Sequence, residues 1–296
     1  MKNNNFLEWI TDEEISSKDL SVAVLRLDKI HPIVSGNKYY KLKYYLEEAI
    51  NAEKETAVTF GGYYSNHIHA TAFACREKGL KSVAFIRGIE PKVINDTLKD
   101  CISFGMELKF IPSDEFENIQ KNIIFNPPEN MMVIPMGGYG KPGMKGAAEI
   151  LSFEVANQFN YILAASGTGT MAAGLLHSLH SDQQLIIISA VKNNFSIGEE
   201  IINLDDVLHQ KKNQLAIHFD YHCGGYGRSN QLLIESMNKF YSQHNIPTDF
   251  VYTGKVILGF YNQLKNDYFK RGSKVLIIHS GGIQGNRSLE KGMLNF

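Results

Sequence analysis

The sequence is poor in cysteine, carries almost no net charge and has no long apolar run. Its three cysteines, Cys75, Cys101 and Cys223, are far apart and form no CxxC pair, which argues against a zinc site and against a disulfide framework. The 30 Lys and Arg residues balance 31 Asp and Glu residues, so no overall basic field would attract nucleic acid or anionic lipid. The longest apolar stretches, such as "LIIISAV", fall well short of the roughly 20 residues that span a bilayer.

The N-terminal stretch "MKNNNFLEWITDEE" also lacks the apolar core of a signal peptide. We therefore expect a cytoplasmic protein with no nucleic-acid or membrane partner. The chain of 296 residues is long enough for one large or two medium domains with a substantial core.

Short apolar, β-branched segments alternate with helical patterns along almost the whole chain. They are apolar throughout rather than at alternate positions, which favours parallel sheets covered by helices on both faces. The sequence thus predicts an α/β fold, with strands at 56–60, 82–86, 107–111, 131–135, 161–166, 185–191, 216–221 and 274–280.

The glycine-rich stretch "PMGGYGKPGMKG" at 135–146 is a candidate crossing between two domains. A long helix is predicted to start after it, near Gly146. We expect a small domain of residues 46–140 and a large domain formed by residues 1–45 together with 141–296.

Glycine-rich turns follow three of the predicted strands. Ligands of open α/β sheets bind beyond the carboxyl ends of the strands, so these turns are the first candidates for a site. The three turns read "GGYYSNHIHATA" at 61–72, "GTGTMAAGLL" at 167–176 and "GGIQGN" at 281–286.

The second turn is suited to hold an anion. Between a strand and a helix, the backbone N–H groups of Gly167, Thr168, Gly169 and Thr170 can converge on an anion, and the two threonine hydroxyls add donors. The segment also fits the dinucleotide pattern G-x-G-x-x-A, but the next strand ends "ISAVKNN" without the carboxylate that would hold a ribose. We favour a phosphomonoester, while an NAD enzyme and a purely structural glycine turn stay open.

The first turn carries a Ser-Asn-His run. Ser65 or Asn66 is suited to cap the following helix, and capping alone could explain both residues. The same run could offer hydroxyl, amide and backbone N–H groups to a substrate carboxylate. His67 and His69 are two residues apart, unlike the four-residue spacing of metal ligands on a helix, so no metal site is predicted.

The stretch "SGNKYYKLKYYLEEA" at 35–49 predicts a helix with Lys38 and Lys41 near its start. A helix N-terminus carries partial positive charge and prefers an anion, so two ammonium groups there are unexpected. They could simply be solvated residues of an amphipathic surface helix. This stretch alone leaves their role open.

Taken together, these segments resemble the pyridoxal-phosphate enzymes of the tryptophan-synthase-β fold type (fold type II). More specifically, the chain resembles the family of 1-aminocyclopropane-1-carboxylate deaminase and D-cysteine desulfhydrase. The matching segments follow one another almost from end to end: "SGNKYYKLKYYL", "TFGGYYSNHIHATA", "PMGGYGKPGMKGAAEI", "ASGTGTMAAGLL", "VYTGKVILG" and "IIHSGGIQGN".

The resemblance implies a set of cofactor contacts with pyridoxal 5'-phosphate in the cleft between the two domains. Lys38 would form the Schiff base with the cofactor, and Lys41 would reach its phosphate together with Gly167 to Thr170. Asn66 would bond the phenolic oxygen. Ser280 would face the pyridine nitrogen with a neutral hydroxyl, which suits β-elimination better than transamination.

The resemblance also implies a substrate side of the site. Ser65 with His67, beside Asn66, would hold the substrate carboxylate, and Tyr252 would line the substrate side of the cofactor ring. We expect Lys38, Ser65 and Tyr252 to be catalytic, with Lys38 acting as nucleophile and base through a depressed pKa. The expected assembly is a homodimer.

The expected reaction is elimination from D-cysteine to give pyruvate, hydrogen sulfide and ammonia. Two departures from the family pattern bear on the substrate: His67 stands where relatives often carry glutamine, and "HSGGIQGN" supplies no second tyrosine beside Tyr252. Because ring opening of aminocyclopropane carboxylate would need such a tyrosine, deamination of that acid is the alternative. An NAD(P)-dependent oxidoreductase and a non-catalytic protein that binds pyridoxal phosphate are alternatives from other classes.

Overall fold

The computed structural model describes residues 6–151 and 156–296. Eight of the ten strands in these residues lie where apolar segments predict them, and the first two strands are not predicted. The strands are β1 (Leu7–Ile10), β2 (Ser21–Arg26), β3 (Thr56–Gly61), β4 (Lys81–Arg87), β5 (Met106–Ile111), β6 (Met131–Ile134), β7 (Tyr161–Ser166), β8 (Gln184–Ser189), β9 (Leu215–His218) and β10 (Lys274–His279). The helices are α1 (Glu13–Ser17), α2 (Asn37–Asn51), α3 (Asn66–Glu77), α4 (Asp96–Ser103), α5 (Phe116–Phe125), α6 (Lys141–Ala148), α7 (Thr170–Ser178), α8 (Ile197–Ile202), α9 (Gln231–His244) and α10 (Thr253–Lys265).

The strands form two sheets. The larger sheet has the order β1-β2-β10-β7-β8-β9 and is parallel except for the antiparallel pair of β1 and β2. The smaller sheet has the order β5-β4-β3-β6 and is parallel throughout. This confirms the predicted α/β fold with mostly parallel sheets.

Both faces of the larger sheet are buried, which explains why its strands are apolar throughout. In β10, Leu276 and Ile278 belong to a core cluster on one face, while Val275 and Ile277 belong to a cluster on the other. Each of these four side chains is fully buried, and burial of one such side chain stabilises the fold by about 1.5–3 kcal/mol. A strand covered on both sides therefore needs apolar residues at every position.

The prediction that a long helix starts near Gly146 is wrong. Helix α6 begins five residues earlier and ends at Ala148. Pro142 is tolerated because it lies in the first turn, where its missing N–H removes no helical hydrogen bond. A Cβ at Gly146 would lie 1.9 Å from the Tyr40 carbonyl oxygen, so this glycine permits close packing of α6 on α2 rather than marking a helix start.

We propose that the two sheets form the cores of two domains with the boundaries predicted above. The strands β3 to β6 all fall within residues 46–140, and the other strands fall outside that range. Helix α2 runs across the boundary and packs on α6, so it joins the two parts. Within the described ranges, no helix is both long and apolar enough to cross a membrane.

Candidate active site

The start of helix α2 is fixed against the carboxyl end of β10. Gly36 precedes the helix with a φ of +66°, and the N–H of Asn37 donates to the Ser280 carbonyl oxygen at 3.1 Å. A Cβ at Gly36 would lie 1.9 Å from that same oxygen. This glycine therefore allows the first turn of α2, which carries Lys38, to lie directly over the sheet end.

Lys38 and Tyr252 line three neighbouring cavities between the two sheets. The largest has a volume of about 440 Å³ and is bounded by elements of both sheets. A second, of about 40 Å³, also contains Lys41 and the loop after β7, and a third, of about 10 Å³, is bounded by Asn66 and Ser280. The largest is lined by Lys38, Gly61, Gly62, Ser65, Asn66, His67, Arg87, Phe116, Met136, Gly137, Gly167, Thr168, Val191, Tyr226 and Tyr252.

Of the residues predicted for the site, most therefore line these cavities. Lys38, Lys41, Ser65, Asn66, His67, Gly167, Thr168, Gly169, Tyr252 and Ser280 all do so. Thr170 is fully buried as the first residue of α7 and lies beside the second cavity, because its hydroxyl is 3.3 Å from that of Thr168.

The two lysines are largely enclosed: Lys41 is buried and Lys38 is partly buried. Lys41 is only 3% exposed, and within the described chain it has no ion-pair or hydrogen-bond partner, while Lys38 Nζ donates to Asn37 Oδ1 at 2.8 Å. Burial lowers the pKa of Lys38 to about 8, against the opposing charge of Asp249. Burial also lowers the pKa of Lys41 well below its usual value, and the charge of Lys38 adds to this effect. The predicted depression of the Lys38 pKa thus comes from burial.

The loop between β7 and α7 forms the wall beside Lys41. Gly169 lies at a φ of +77° directly before the helix, and a Cβ there would come within 3.0 Å of Ile201. Its N–H donates to Ser166 Oγ at 3.1 Å. Of the four backbone N–H groups predicted to bind an anion, that of Gly169 therefore already has a partner. The helix N-terminus beside a buried, unpaired ammonium is a suitable site for a phosphomonoester.

The second loop holds Ser65 and Asn66 at the start of α3. Ser65 caps this helix, because its Oγ accepts the N–H of Ile68 at 3.3 Å. Its hydroxyl also borders the largest cavity, so capping does not exclude a contact with a ligand. Asn66 Nδ2 donates to the Gly282 carbonyl oxygen at 3.4 Å, whereas its Oδ1 is buried without a partner.

His67 has one ring nitrogen engaged and one free. Its Nε2 lies 2.7 Å from Thr59 Oγ1, and that hydroxyl donates to the Ile134 carbonyl oxygen. Thr59 must therefore accept from Nε2–H, which leaves the buried Nδ1 as an unpaired acceptor. Burial and the charges of Lys38 and Lys41 lower the pKa of His67 well below its usual value, so the ring is neutral. This tautomer has no ring N–H left for a substrate carboxylate.

Tyr252 has a tyrosine neighbour after all. The rings of Tyr226 and Tyr252 meet edge to face with centroids 6.0 Å apart, and both line the largest cavity. The turn after the last strand supplies no second tyrosine, as its sequence shows, but another part of the chain does. Tyr226 comes instead from the segment between β9 and α9 and is 55% exposed at the cavity rim.

Two buried charged residues hold this tyrosine pair in place. Asp249 is fully buried and accepts the N–H groups of Tyr252 and Thr253, each at 2.8 Å. Lys255 is also fully buried and donates to the Gly225 carbonyl oxygen at 2.7 Å. Neither residue is identified in the sequence analysis. The one feature that could have pointed to them is their position, three residues before and three residues after Tyr252.

Comparison with known proteins agrees with this geometry. The profile of the family described as "Pyridoxal-phosphate dependent enzyme" matches residues 13–281. A putative 1-aminocyclopropane-1-carboxylate deaminase of Thermotoga maritima is 30% identical, covering 90% of this chain and 89% of the relative. A D-cysteine desulfhydrase of Salmonella paratyphi A is 27% identical, covering 87% of this chain and 86% of the relative.

The solved structures agree as well. The crystal structure of a homologue of ACC deaminase superimposes with a TM-score of 0.78 at 25% identity, covering 95% of this chain and 90% of the other. The family expected from the six sequence segments is thus confirmed, and the nicotinamide alternative is set aside. The chain belongs to the family of pyridoxal-phosphate-dependent enzymes, and its cofactor is pyridoxal 5'-phosphate.

Proposed function

We propose that the protein is a lyase that eliminates the β-substituent of a small D-amino acid, with D-cysteine as substrate and pyruvate, hydrogen sulfide and ammonia as products. The observation that carries this proposal is the position of Lys38. It is the lysine that lines all three cavities, and its pKa of about 8 gives it a substantial neutral fraction near physiological pH.

The residues around Lys38 fit pyridoxal phosphate. Lys41 is a buried ammonium without a counter-ion, and it lies with Gly167 and Thr168 along one small cavity, where the phosphate would complete the charge balance. Asn66 also lines the largest cavity and has a buried Oδ1 without a partner, and Ser280 also lines the cavity that contains Lys41, so both residues could offer polar contacts to the cofactor ring. When bound, the cofactor withdraws electrons from the substrate's α-carbon and so acidifies its hydrogen.

Lys38 has two tasks in this proposal. It would hold the cofactor covalently between turnovers, and its Nζ, when free and neutral, would take the α-proton of the substrate. The Cα–H and Cβ–S bonds break, and the electron pair of the second bond leaves with sulfur as hydrosulfide. Water then converts the released enamine to pyruvate and ammonia, with no oxidant or reductant.

The substrate carboxylate is best placed at the start of α3. Ser65 retains its hydroxyl hydrogen for donation because its oxygen is the acceptor in the helix cap. The N-terminus of α3, which begins at Asn66, adds partial positive charge. We no longer assign the His67 side chain to this contact, since its single N–H is engaged by Thr59.

The tyrosine pair favours a second candidate, deamination of aminocyclopropane carboxylate. That acid has no α-hydrogen, so its ring must be opened at a β-carbon with additional acid–base groups. Burial raises the pKa of Tyr252 well above its usual value, so its hydroxyl stays protonated: it can donate a hydrogen bond but cannot serve as the base that ring opening needs. Elimination from D-cysteine needs only Lys38 as base, and we therefore rank it first.

The substrate order can be tested with a panel of small D- and L-amino acids. We expect pyruvate and sulfide from D-cysteine, a much slower reaction with L-cysteine and little ketobutyrate from aminocyclopropane carboxylate. Tyr226→Phe should change D-cysteine turnover by less than about threefold, because elimination does not depend on this hydroxyl. Comparable rates on D-cysteine and the cyclopropane acid, with Tyr226→Phe suppressing only the latter, would instead establish the deaminase. Bound cofactor without turnover would indicate a non-catalytic binding protein.

Lys41 offers a separate test of the phosphate site. Lys41→Met should weaken cofactor affinity by about 2–3 kcal/mol, because a charge-assisted contact to the phosphate is lost. The same change should leave the apoprotein as stable as the wild type or more stable, because it removes a buried ammonium without a partner. Fluorescence titration of apoprotein with cofactor and urea unfolding of the apoprotein measure the two effects.

The pH dependence of apoprotein stability checks the same residue. Because the pKa of Lys41 is lowered in the fold, the unfolded chain binds more protons than the native protein up to the ordinary lysine pKa of about 10.4. The free energy of unfolding of the wild-type apoprotein should therefore rise with pH between the lowered pKa of Lys41 and the ordinary lysine pKa. Lys41→Met should reduce this rise. Equal losses of cofactor affinity and apoprotein stability would mean that Lys41 is structural and does not hold the phosphate.

A further inference from the structure

Arg87 places a cation on the wall of the largest cavity. It is the last residue of β4 and borders the same space as Lys38 and Ser65. In the described parts of the chain, no ion pair or hydrogen bond engages its guanidinium, and no carboxylate side chain lines the cavity. The charge is therefore available to a ligand.

The sheet register fixes where Arg87 stands. Ile86 of β4 pairs with Gly61, the last residue of β3, so Arg87 and Gly62 are the next residues along the two neighbouring segments. The turn from Gly62 leads directly to the α3 cap, since the Ser65 N–H donates to the Gly62 carbonyl oxygen at 3.1 Å. Arg87 thus stands one strand away from the loop to which we assign the substrate carboxylate.

The space beside Gly62 in this loop is open. The position that a Cβ of Gly62 would occupy has no atom within 4 Å. The volume of about 440 Å³ is also larger than the two-atom side chain of D-cysteine requires, even with the cofactor ring occupying a share of it. A longer side chain on the amino acid would extend along this wall.

The chemistry of the guanidinium identifies what such a side chain carries. Arginine pairs with carboxylate, phosphate and sulfonate oxygens through two parallel N–H donors, and it cannot lose its charge at neutral pH. We infer that Arg87 selects β-substituted D-alanines whose β-substituent carries an oxyanion. This inference rests on the proposed lyase function and extends its substrate class.

Elimination from such a substrate needs the same groups and no additional reactant. With O-phospho-D-serine, the Cα–H bond breaks toward Lys38, and the Cβ–O bond breaks with its electron pair leaving on phosphate. One water then converts the enamine to pyruvate and ammonia. No change of oxidation state requires a co-reactant.

The test compares O-phospho-D-serine with D-serine on the holoenzyme, with D-cysteine as a check on the chemistry. Arg87→Gln should lower the ratio of kcat/KM for the phosphorylated over the plain substrate about tenfold, mainly through KM. Arg87→Lys should lower it less, because lysine keeps the charge but loses the paired donors. Lys109→Gln is the matched control, since Lys109 is exposed on the same sheet, pairs with Glu107 at 3.4 Å and does not line the cavity.

Salt gives an independent measurement. Raising the ionic strength from about 0.05 to about 0.5 M should lower the wild-type ratio and leave that of Arg87→Gln unchanged, because an exposed ion pair is screened. An unchanged ratio in Arg87→Gln, or an equal fall in Lys109→Gln, would mean that Arg87 is merely solvated.

Failure of the lyase proposal would look different. If no D-amino acid yields pyruvate, titration of the cofactor's visible absorption measures binding of O-phospho-D-serine and D-serine directly. A binding preference that disappears in Arg87→Gln would support the inference, and equal affinities in wild type and variant would overturn it.

Discussion

Replacing Lys38 with alanine is expected to reduce pyruvate formation from D-cysteine by at least about 10⁴-fold, because one side chain supplies both the covalent attachment and the base. The fold should survive the change. Lys38 makes one side-chain hydrogen bond, to its neighbour Asn37, and the first turn of α2 is held instead by backbone contacts to Ser280. The assay is pyruvate production by enzyme reconstituted with cofactor, together with the far-UV circular dichroism of the variant.

Borohydride reduction of the wild-type holoenzyme provides the direct chemical check. Peptide mapping should find the reduced adduct on Lys38. An adduct found mainly on Lys41 or Lys255 would contradict the assignment. Lys43→Ala serves as the control on the same helix. Its ammonium pairs with Glu149 at 2.7 Å, on a face of α2 that does not line the cavities, so this variant should keep its adduct and its turnover.

The features that sequence predicts well in this chain depend on local chemistry. The apolar residues of β10 predict a strand that is buried on both faces. The polar residues before a helical pattern predict a cap at Ser65 or Asn66, and the structure shows Ser65 in that role. Helix α2, with Lys38 in its first turn, follows from apolar periodicity in the same way. None of these depends on which distant segment packs against them.

The features that sequence misses depend on long-range packing. Strand β2 joins the larger sheet by pairing with β10, about 250 residues later, and its neighbour β1 is too short to show a pattern. Gly146 looks like a helix boundary until Tyr40 is found against it. Tyr226 reaches Tyr252 from a distant segment, in which the neighbouring Gly225 carbonyl oxygen accepts a hydrogen bond from Lys255.

Gly36 affects both the packing of α2 against β10 and the position of Lys38. Its φ of +66° and the 1.9 Å approach of a hypothetical Cβ to the Ser280 oxygen both exclude a side chain. Gly79, after α3, offers a comparison, because its φ is +71° and no atom lies within 4 Å of its Cβ position, whereas Gly36, with a ψ of −148°, lies in a region that essentially only glycine adopts. Alanine at Gly79 suffers the backbone strain alone, whereas alanine at Gly36 suffers the strain and the clash.

We therefore expect Gly79→Ala to cost about 1–2 kcal/mol of unfolding free energy and to leave turnover unchanged. Gly36→Ala should cost about 3–5 kcal/mol, because the start of α2 must move away from the end of β10. A shift of about 1 Å at Lys38 would lower kcat about 100-fold even in molecules that fold, and cofactor content would fall with it. Urea unfolding, visible absorption and the D-cysteine assay of both variants at one temperature separate these effects. Equal losses in the two variants would show that the contact of Gly36 with Ser280 is not what positions Lys38.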